Sequence, residues 1–208
     1  MDGKGDRPGA TIVLAEPPMD GWGLRAPLEA LGHEVVGHAE ETGAAVELAA
    51  SLKPDLVVLD VQLPGLAGGI GTAERLRCAE RTGLVCVASR WDPATLDAAV
   101  GAGALACLIR PVGVAQLGLS ILVALARRAE IAALQETCAE LQARLEARKR
   151  AVRAKGILMR RLGIDEAQAH LVLQQRARNT RQPLPVAIEE VLAADRFFAD
   201  LERWLREA

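Results

Sequence analysis

Residues 54–65 read PDLVVLDVQLPG, and their pattern decides the fold. Asp55–Asp60 (DLVVLD) is a continuous apolar run closed by a carboxylate, and the Gly- and Pro-rich segment QLPGLAGG follows it. A strand without polar alternation is buried on both faces, as in a parallel sheet covered by helices on each side. Asp60 then stands at a strand's carboxyl end, where such sheets gather their ligands.

Working outward, the chain alternates strands and helices on both sides of this segment. Thr11–Ala15 (TIVLA) is a first strand, followed by a turn-rich stretch with Pro17, Pro18, Gly21 and Gly23. Leu24, Leu28 and Leu31 recur at helical spacing, with Pro27 expected to delay the helix start. Glu34–Val36 reads as a weak edge strand, and Val46, Ala49 and Leu52 mark a helix that Lys53-Pro54 ends. Beyond Asp60, Ile70, Ala73 and Leu76 supply an amphipathic face, and Leu84–Ala88 (LVCVA) is a strand running to Ser89. Asp92-Pro93 opens a helix, with Asp92 as N-cap and Pro93 at the first helical position. Leu105–Ile109 (LACLI) is a fifth strand, and Val114, Leu117, Ile121 and Leu125 line a fifth helix. The expected class is α/β: a doubly wound five-stranded parallel sheet with right-handed crossovers.

From Leu119 the pattern stays helical, with no Gly or Pro before Gly156. Ile131, Leu134, Cys138, Leu141 and Leu145 follow alternating spacings of three and four, a heptad seam flanked by Glu and Arg. The seam predicts a parallel dimeric coiled coil; the alternative is one amphipathic helix packed on its own domain. An all-α three-helix domain follows. Gly163 ends the long helix, and Asp165 caps the next with Gln168 at its N3 position. Pro183 and Pro185 set off a third helix carrying Ala187, Ile188, Val191 and Leu192, and Asp195–Glu207 is expected as a fourth. The expected organisation is a flexible N-terminus (1–9), an α/β domain (10–127), a coiled-coil linker (128–152), a helical domain (153–194) and a C-terminal helix (195–208).

With two Phe, three Trp and no Tyr, Leu, Val and Ala must carry the packing, which disfavours a small β-sandwich. The net charge of −2 conceals an asymmetry. Between Arg144 and Arg181 stand Arg148, Lys149, Arg150, Arg153, Lys155, Arg160, Arg161, Arg176 and Arg178, opposed only by Glu146, Asp165 and Glu166. Such a local field recruits polyanions whatever the overall charge. Cys78, Cys86, Cys107 and Cys138 show no CxxC spacing, and no apolar leader or membrane-length run is present. The expected setting is the reducing cytoplasm.

At the carboxyl ends of the strands stand Glu16, Asp60, Ser89 and Arg110. Two facing carboxylates suit Mg²⁺, and a hydroxyl beside a basic side chain suits a phosphoryl group. On these residues the chain resembles bacterial response-regulator receiver domains across residues 10–127. PDLVVLDVQLPG is very like the family's third strand and loop, GAGALACLIRP is similar to the approach to the fifth strand, and Ser89 matches the switch hydroxyl. The resemblance implies a phosphoacceptor at Asp60, Mg²⁺ held by Glu16 and Asp60, and a switch formed by Ser89 and Arg110. Three positions depart from the pattern: Ala15-Glu16 replaces a pair of acids, Arg110 a lysine, and Cys107 an aromatic. Control by phosphate and control by a protein that holds a pseudo-receiver both stay open.

A second resemblance lies in RAKGILMRRLGIDEAQAHLVLQQRARNTRQPLPVAIEEVL, residues 153–192, which looks like the ANTAR domain of amide- and nitrate-responsive transcription antitermination regulators. Its signature is Ala154-Lys155-Gly156, Leu158-Met159, Gly163, Ala169, Leu173 and Ala177; His170 and Gln174 replace an aromatic and an arginine. Membership implies binding of RNA stem-loops in leader transcripts, so that a competing terminator hairpin cannot form. The expected RNA contacts are Arg153, Lys155, Gly156, Met159, Arg160, Arg161, Arg176, Arg178 and Arg181. The expected partners are RNA, a second copy of the chain, and a sensor histidine kinase or an inhibitory sensor protein, with no membrane and no catalytic residues. The alternatives are an interaction protein that does not bind RNA, and a DNA-binding response regulator.

Overall fold

The structure, a computed structural model, describes residues 9–18, 23–65, 68–77, 82–90 and 92–207. Cys78, Gly21 and nearly all of the expected flexible N-terminus lie outside them. Two compact units divide the chain, one running to Leu134 and the other beginning at Gln135, so the expected linker 128–152 is shared between them.

The first unit is a five-stranded parallel sheet of β1 (Thr11–Ala15), β2 (Glu34–Ala39), β3 (Leu56–Asp60), β4 (Gly83–Ala88) and β5 (Ala104–Ile109), in the order β2-β1-β3-β4-β5. Its helices are α1 (Arg25–Ala30), α2 (Thr42–Leu52), α3 (Gly68–Arg77), α4 (Pro93–Gly101) and the start of α5 (Val114–Leu162). Alternation along the strands feeds two cores. Val13, Ala15, Val57, Leu59 and Cys86 pack with Ala45, Ala49, Ala73 and Ala99 of α2–α4. Ile12, Leu14, Leu56, Val58, Val85 and Val87 pack with Leu28 of α1 and Leu117 and Ile121 of α5. Every residue of β3 is buried, as its unbroken apolar run requires.

Local chemistry explains the element ends, including two that differ from expectation. Helix α1 begins at Arg25, ahead of Pro27; a proline in the first turn gives up an N–H that has no intrahelical acceptor, so it delays nothing. Strand β2 extends to Ala39 because β1 pairs with it along its whole length. Asp92 caps α4 by accepting from the Thr95 amide at 3.0 Å. After β3 the chain turns through Gly65 at φ 141°, and a Cβ on Gly69 would stand 2.3 Å from the Val61 carbonyl oxygen. Only glycine fits either place.

The second unit holds the end of α5, then α6 (Glu166–Thr180) and α7 (Leu184–Glu207). Gly163, at φ 66°, ends α5 with its N–H donating to the Met159 carbonyl at 3.0 Å. Asp165 and Gln168 form a reciprocal capping box on α6. The expected third and fourth helices are one element: Pro185 falls in the first turn of α7, and nothing between Leu192 and Phe197 breaks the helical pattern. Ala154, Ile157, Leu173, Ile188 and Leu192 make the core, and buried Ala169, Ala177 and Ala187 keep the side chains small where the helices meet. The alanines of the ANTAR-like signature, Ala154, Ala169 and Ala177, are thus packing residues.

A polar staple joins β1 to β3. Asp55 Oδ2 accepts from the Thr11 amide and hydroxyl, both at 2.9 Å, while Arg128 lies 2.8 Å from Oδ1. Burial pushes the Asp55 carboxyl up, but the Thr11 hydrogen bonds and Arg128 outweigh it and hold the pKa below the usual range. A depressed folded-state pKa contributes stability above the unfolded value and loses it as pH falls through the folded one. Asp55→Asn should therefore cost about 1–2 kcal/mol near neutrality, allowing for solvent screening of a one-third exposed pair. In urea titrations the variant and wild type should converge as pH drops through the carboxylate range.

Candidate functional site

Register assembles the first site. Ala15 pairs with Leu59, so the next residues, Glu16 and Asp60, emerge side by side. Asp60 pairs with Val87, which brings Gln62 level with Ser89; Ala88 pairs with Ile109, which brings Ser89 level with Arg110. All four residues named from the sequence meet at one edge, and Gln62 joins them.

The Arg110 guanidinium fills the space between the acids. Its Nη2 lies 2.9 Å from Glu16 Oε2 and 3.1 Å from Asp60 Oδ2, and its Nε also donates to Asp60 Oδ2 at 3.1 Å. The three side chains are 8%, 5% and 3% exposed for Arg110, Glu16 and Asp60. Glu16 also accepts from the Leu24 amide at 3.0 Å, and Asp60 Oδ1 from the Gln62 amide at 2.8 Å. Removing one partner of such a network strands an uncompensated buried charge, at a cost of about 3–5 kcal/mol. Ser89, exposed, donates its hydroxyl to Gln62 Oε1 at 2.8 Å. Gln62 was not expected at the site from the sequence; its place two residues beyond Asp60, level with Ser89 once β3 and β4 pair, is the signal that finds it.

Receiver domains commonly bind Mg²⁺ at this acidic edge. Mg²⁺ needs a near-octahedral oxygen shell at about 2.0–2.1 Å. Here the facing oxygens of Glu16 and Asp60 converge on one guanidinium nitrogen, and Ala15 supplies no further carboxylate. Among the described residues no three His, Cys, Asp or Glu side chains cluster to hold a metal. With Arg110 in this position the expected Glu16–Asp60 pair does not fit the ion. Cys107, where the resemblance implies an aromatic, is half-buried and pairs in register with Cys86. Burial, then the neighbouring Cys107 thiol, push Cys86 up to about 12, and burial raises Cys107 as well.

The helical unit carries the second site, and its acids change the sequence picture. Glu189, Glu190 and Asp195 of α7 lie outside the basic window but turn back onto it. Lys155 is paired with Glu166, Arg161 with Asp195 at 2.9 Å, Arg160 with Asp195 at 3.7 Å, and Arg176 with Glu190 at 2.8 Å. Arg161 also lies 5.0 Å over the Phe198 ring, which makes it a strut between α5 and α7. Arg153, Arg178 and Arg181 are exposed and, among the described residues, unpaired. Gly156 and Met159 are exposed too, and a Cβ on Gly156 would meet nothing within 4 Å. A groove of about 330 Å³ between α5 and α7 is lined by Lys149, Arg150, Arg153 and Arg196, with Glu146 and Glu189 among them. Arg196 was not among the expected contacts, because only the helix packing brings it to α5. His170 and Gln174, the two departures from the ANTAR pattern, share a hydrogen bond of 3.0 Å one turn apart.

The seam residues Ile131, Leu134, Cys138, Leu141 and Leu145 are all exposed along α5. No helix among the described residues is long and apolar enough to cross a membrane.

Comparison with known proteins assigns a family to each unit. The family model of the response regulator receiver domain matches residues 22–121, and that of the ANTAR domain matches residues 139–192, beginning ahead of the expected boundary at 153. The transcriptional regulatory protein PdtaR of Mycobacterium tuberculosis is 36% identical over 161 residues, 77% of this chain and 78% of that protein. Among solved structures, the signal receiver domain of a modulated diguanylate cyclase from Desulfovibrio desulfuricans superposes with a TM-score of 0.55 at 28% identity, covering 58% of this chain and 97% of that one. Protein PilH of Pseudomonas aeruginosa is 36% identical over 73 residues, 35% of this chain and 60% of that protein.

The thiols give a direct check on this geometry. Alkylation of the folded protein near neutral pH, mapped by mass spectrometry, should leave Cys86 unmodified until the sheet unfolds. Rapid labelling of Cys86 would contradict its burial.

Proposed function

The chain belongs to the receiver–ANTAR response regulators, and we propose that it is a transcription antitermination regulator that binds RNA stem-loops in leader transcripts through its helical unit. The observation that carries this reading is the α5–α7 groove, where Lys149, Arg150, Arg153 and Arg196 outnumber two acids. Unpaired Arg178 and Arg181 at the end of α6 add further charge. Cations so arranged track phosphates, and guanidinium planes stack on unpaired loop bases. Lys149, Arg150 and Arg196 pair with the groove acids Glu146 and Glu189, as Lys155, Arg160, Arg161 and Arg176 pair with Glu166, Asp195 and Glu190. In this scheme all seven reach RNA by exchanging one anion for another, while Arg153 needs no exchange.

Two copies joined along Ile131, Leu134, Cys138, Leu141 and Leu145 present two such units together, and linkage raises affinity through effective concentration. Five apolar or thiol side chains exposed at heptad spacing support a parallel pair. Input arrives in the cytoplasm through the receiver domain, from a sensor histidine kinase acting at Asp60 or from an inhibitory sensor protein that holds the domain. The engagement of both Asp60 oxygens favours the second. A competing role for the helical unit, docking a protein, draws support from exposed Phe197, Phe198, Trp204 and Leu205 on α7.

Crosslinking to cellular RNA followed by sequencing distinguishes these roles. Arg153→Ala with Arg196→Ala should weaken hairpin binding and lower its salt slope by about 0.7–0.9 for each phosphate no longer neutralised. An unchanged slope would place the RNA elsewhere. Leu134→Lys with Leu141→Lys should convert a dimer to a monomer by light scattering. Mild oxidation should link wild-type dimers through Cys138; a monomeric wild type rules out the coiled coil.

A further inference from the structure

We infer that Arg110 is a built-in cation that takes the place of the metal ion in this receiver domain, leaving Asp60 unable to accept a phosphoryl group by the metal-assisted route. The inference concerns the first unit alone and stands whether or not the second binds RNA.

Two buried carboxylates side by side need a positive charge between them, because water is largely excluded from the site. A compact ammonium offers its donors from one nitrogen, whereas the planar guanidinium bridges the acids with one nitrogen and grips Asp60 with a second. Nη2 bridges Glu16 Oε2 and Asp60 Oδ2 at 2.9 and 3.1 Å, and Nε doubles the hold on Asp60. Arginine also stays charged at every pH the protein meets, so the bridge cannot open by deprotonation. A divalent ion would need the same two oxygens and would face the guanidinium at close range. Cation for cation, Arg110 and Mg²⁺ exclude one another.

The consequence reaches the nucleophile. Asp60 Oδ2 is held by Arg110 and Oδ1 by the Gln62 amide, so neither oxygen is left unengaged to attack phosphorus. Ser89, which would meet an arriving phosphoryl oxygen, donates instead to Gln62. Ala15 removes the additional acid that would strengthen metal binding against the guanidinium. Each departure points the same way. The edge that senses phosphate in a metal-binding receiver is here closed by an internal ion pair, and signals must act by binding the domain.

The test uses the full-length protein and the metal itself. Mn²⁺ binding is followed by electron paramagnetic resonance, Mg²⁺ by its effect on thermal unfolding, and acyl phosphate by hydroxylamine-labile label after incubation with acetyl phosphate. Wild type should show no saturable ion binding in the millimolar range, no Mg²⁺-dependent shift in melting, and no label. Arg110→Lys should gain affinity for Mn²⁺ on the order of 10–100-fold, by analogy with the effect of outer-shell changes at metal sites. It should also melt higher with Mg²⁺, and both gains should vanish when Asp60→Asn is added. Should Arg110→Lys fail to fold, Arg110→Gln, neutral and still able to hydrogen-bond both acids, replaces it with the same expectations. Saturable Mn²⁺ binding or Mg²⁺-dependent labelling at Asp60 in the wild type would overturn the inference, as would a folded variant that gains no ion affinity.

Discussion

One guanidinium between two carboxylates sets the character of the first unit. Glu16 and Asp60 are brought together by parallel register, and without a cation they would repel across a site that admits almost no water. Arg110 resolves that conflict from just past the end of β5, which lies two strands from β3 in the sheet order. The bridge therefore ties the two sides of the crevice as well as balancing charge. Because the pair sits at the strand ends, it occupies the place where a doubly wound sheet binds ligands. Stability and the capacity to bind an external ion thus draw on the same oxygens.

The second unit shows a related economy. Its arginines look, in one dimension, like a free cationic surface. The acids of α7 convert several of the expected contacts into internal pairs, and Arg161 adds a ring contact with Phe198. Exposed pairs of this kind are individually worth about 0–1 kcal/mol, so they orient side chains more than they stabilise the fold. The small-residue core of Ala154, Ala169, Ala177 and Ala187 supplies the close helix approach that holds the α5–α7 groove in shape.

Much of the fold was legible because its signals are local. Leu56–Leu59 has no polar alternation, which burial on both faces demands; Asp92, Asp165 and Gly163 mark helix ends through capping chemistry that acts within one turn. Register was half legible: knowing that β1 and β3 are parallel neighbours places Glu16 beside Asp60, but not what lies between them. The division expected in α7 at Asp195 has no breaker residue behind it, and the helix runs on; the misplaced start of α1 has a different cause. Pro27 reads as delaying the helix, although a first-turn position makes it harmless.

The sequence alone determined the α/β class, the strand-end residues, the heptad spacing and the ANTAR-like helical pattern, since each depends on side chains within a few positions of one another. Tertiary structure alone decided that Arg110 bridges both acids, that Gln62 occupies Ser89, and that Arg196 joins the groove while Lys155 and Arg161 are paired away. Those outcomes depend on residues 11 to 94 positions apart in the chain meeting in space, from Lys155 and Glu166 to Glu16 and Arg110. Such a meeting is set by packing, and no local pattern encodes it.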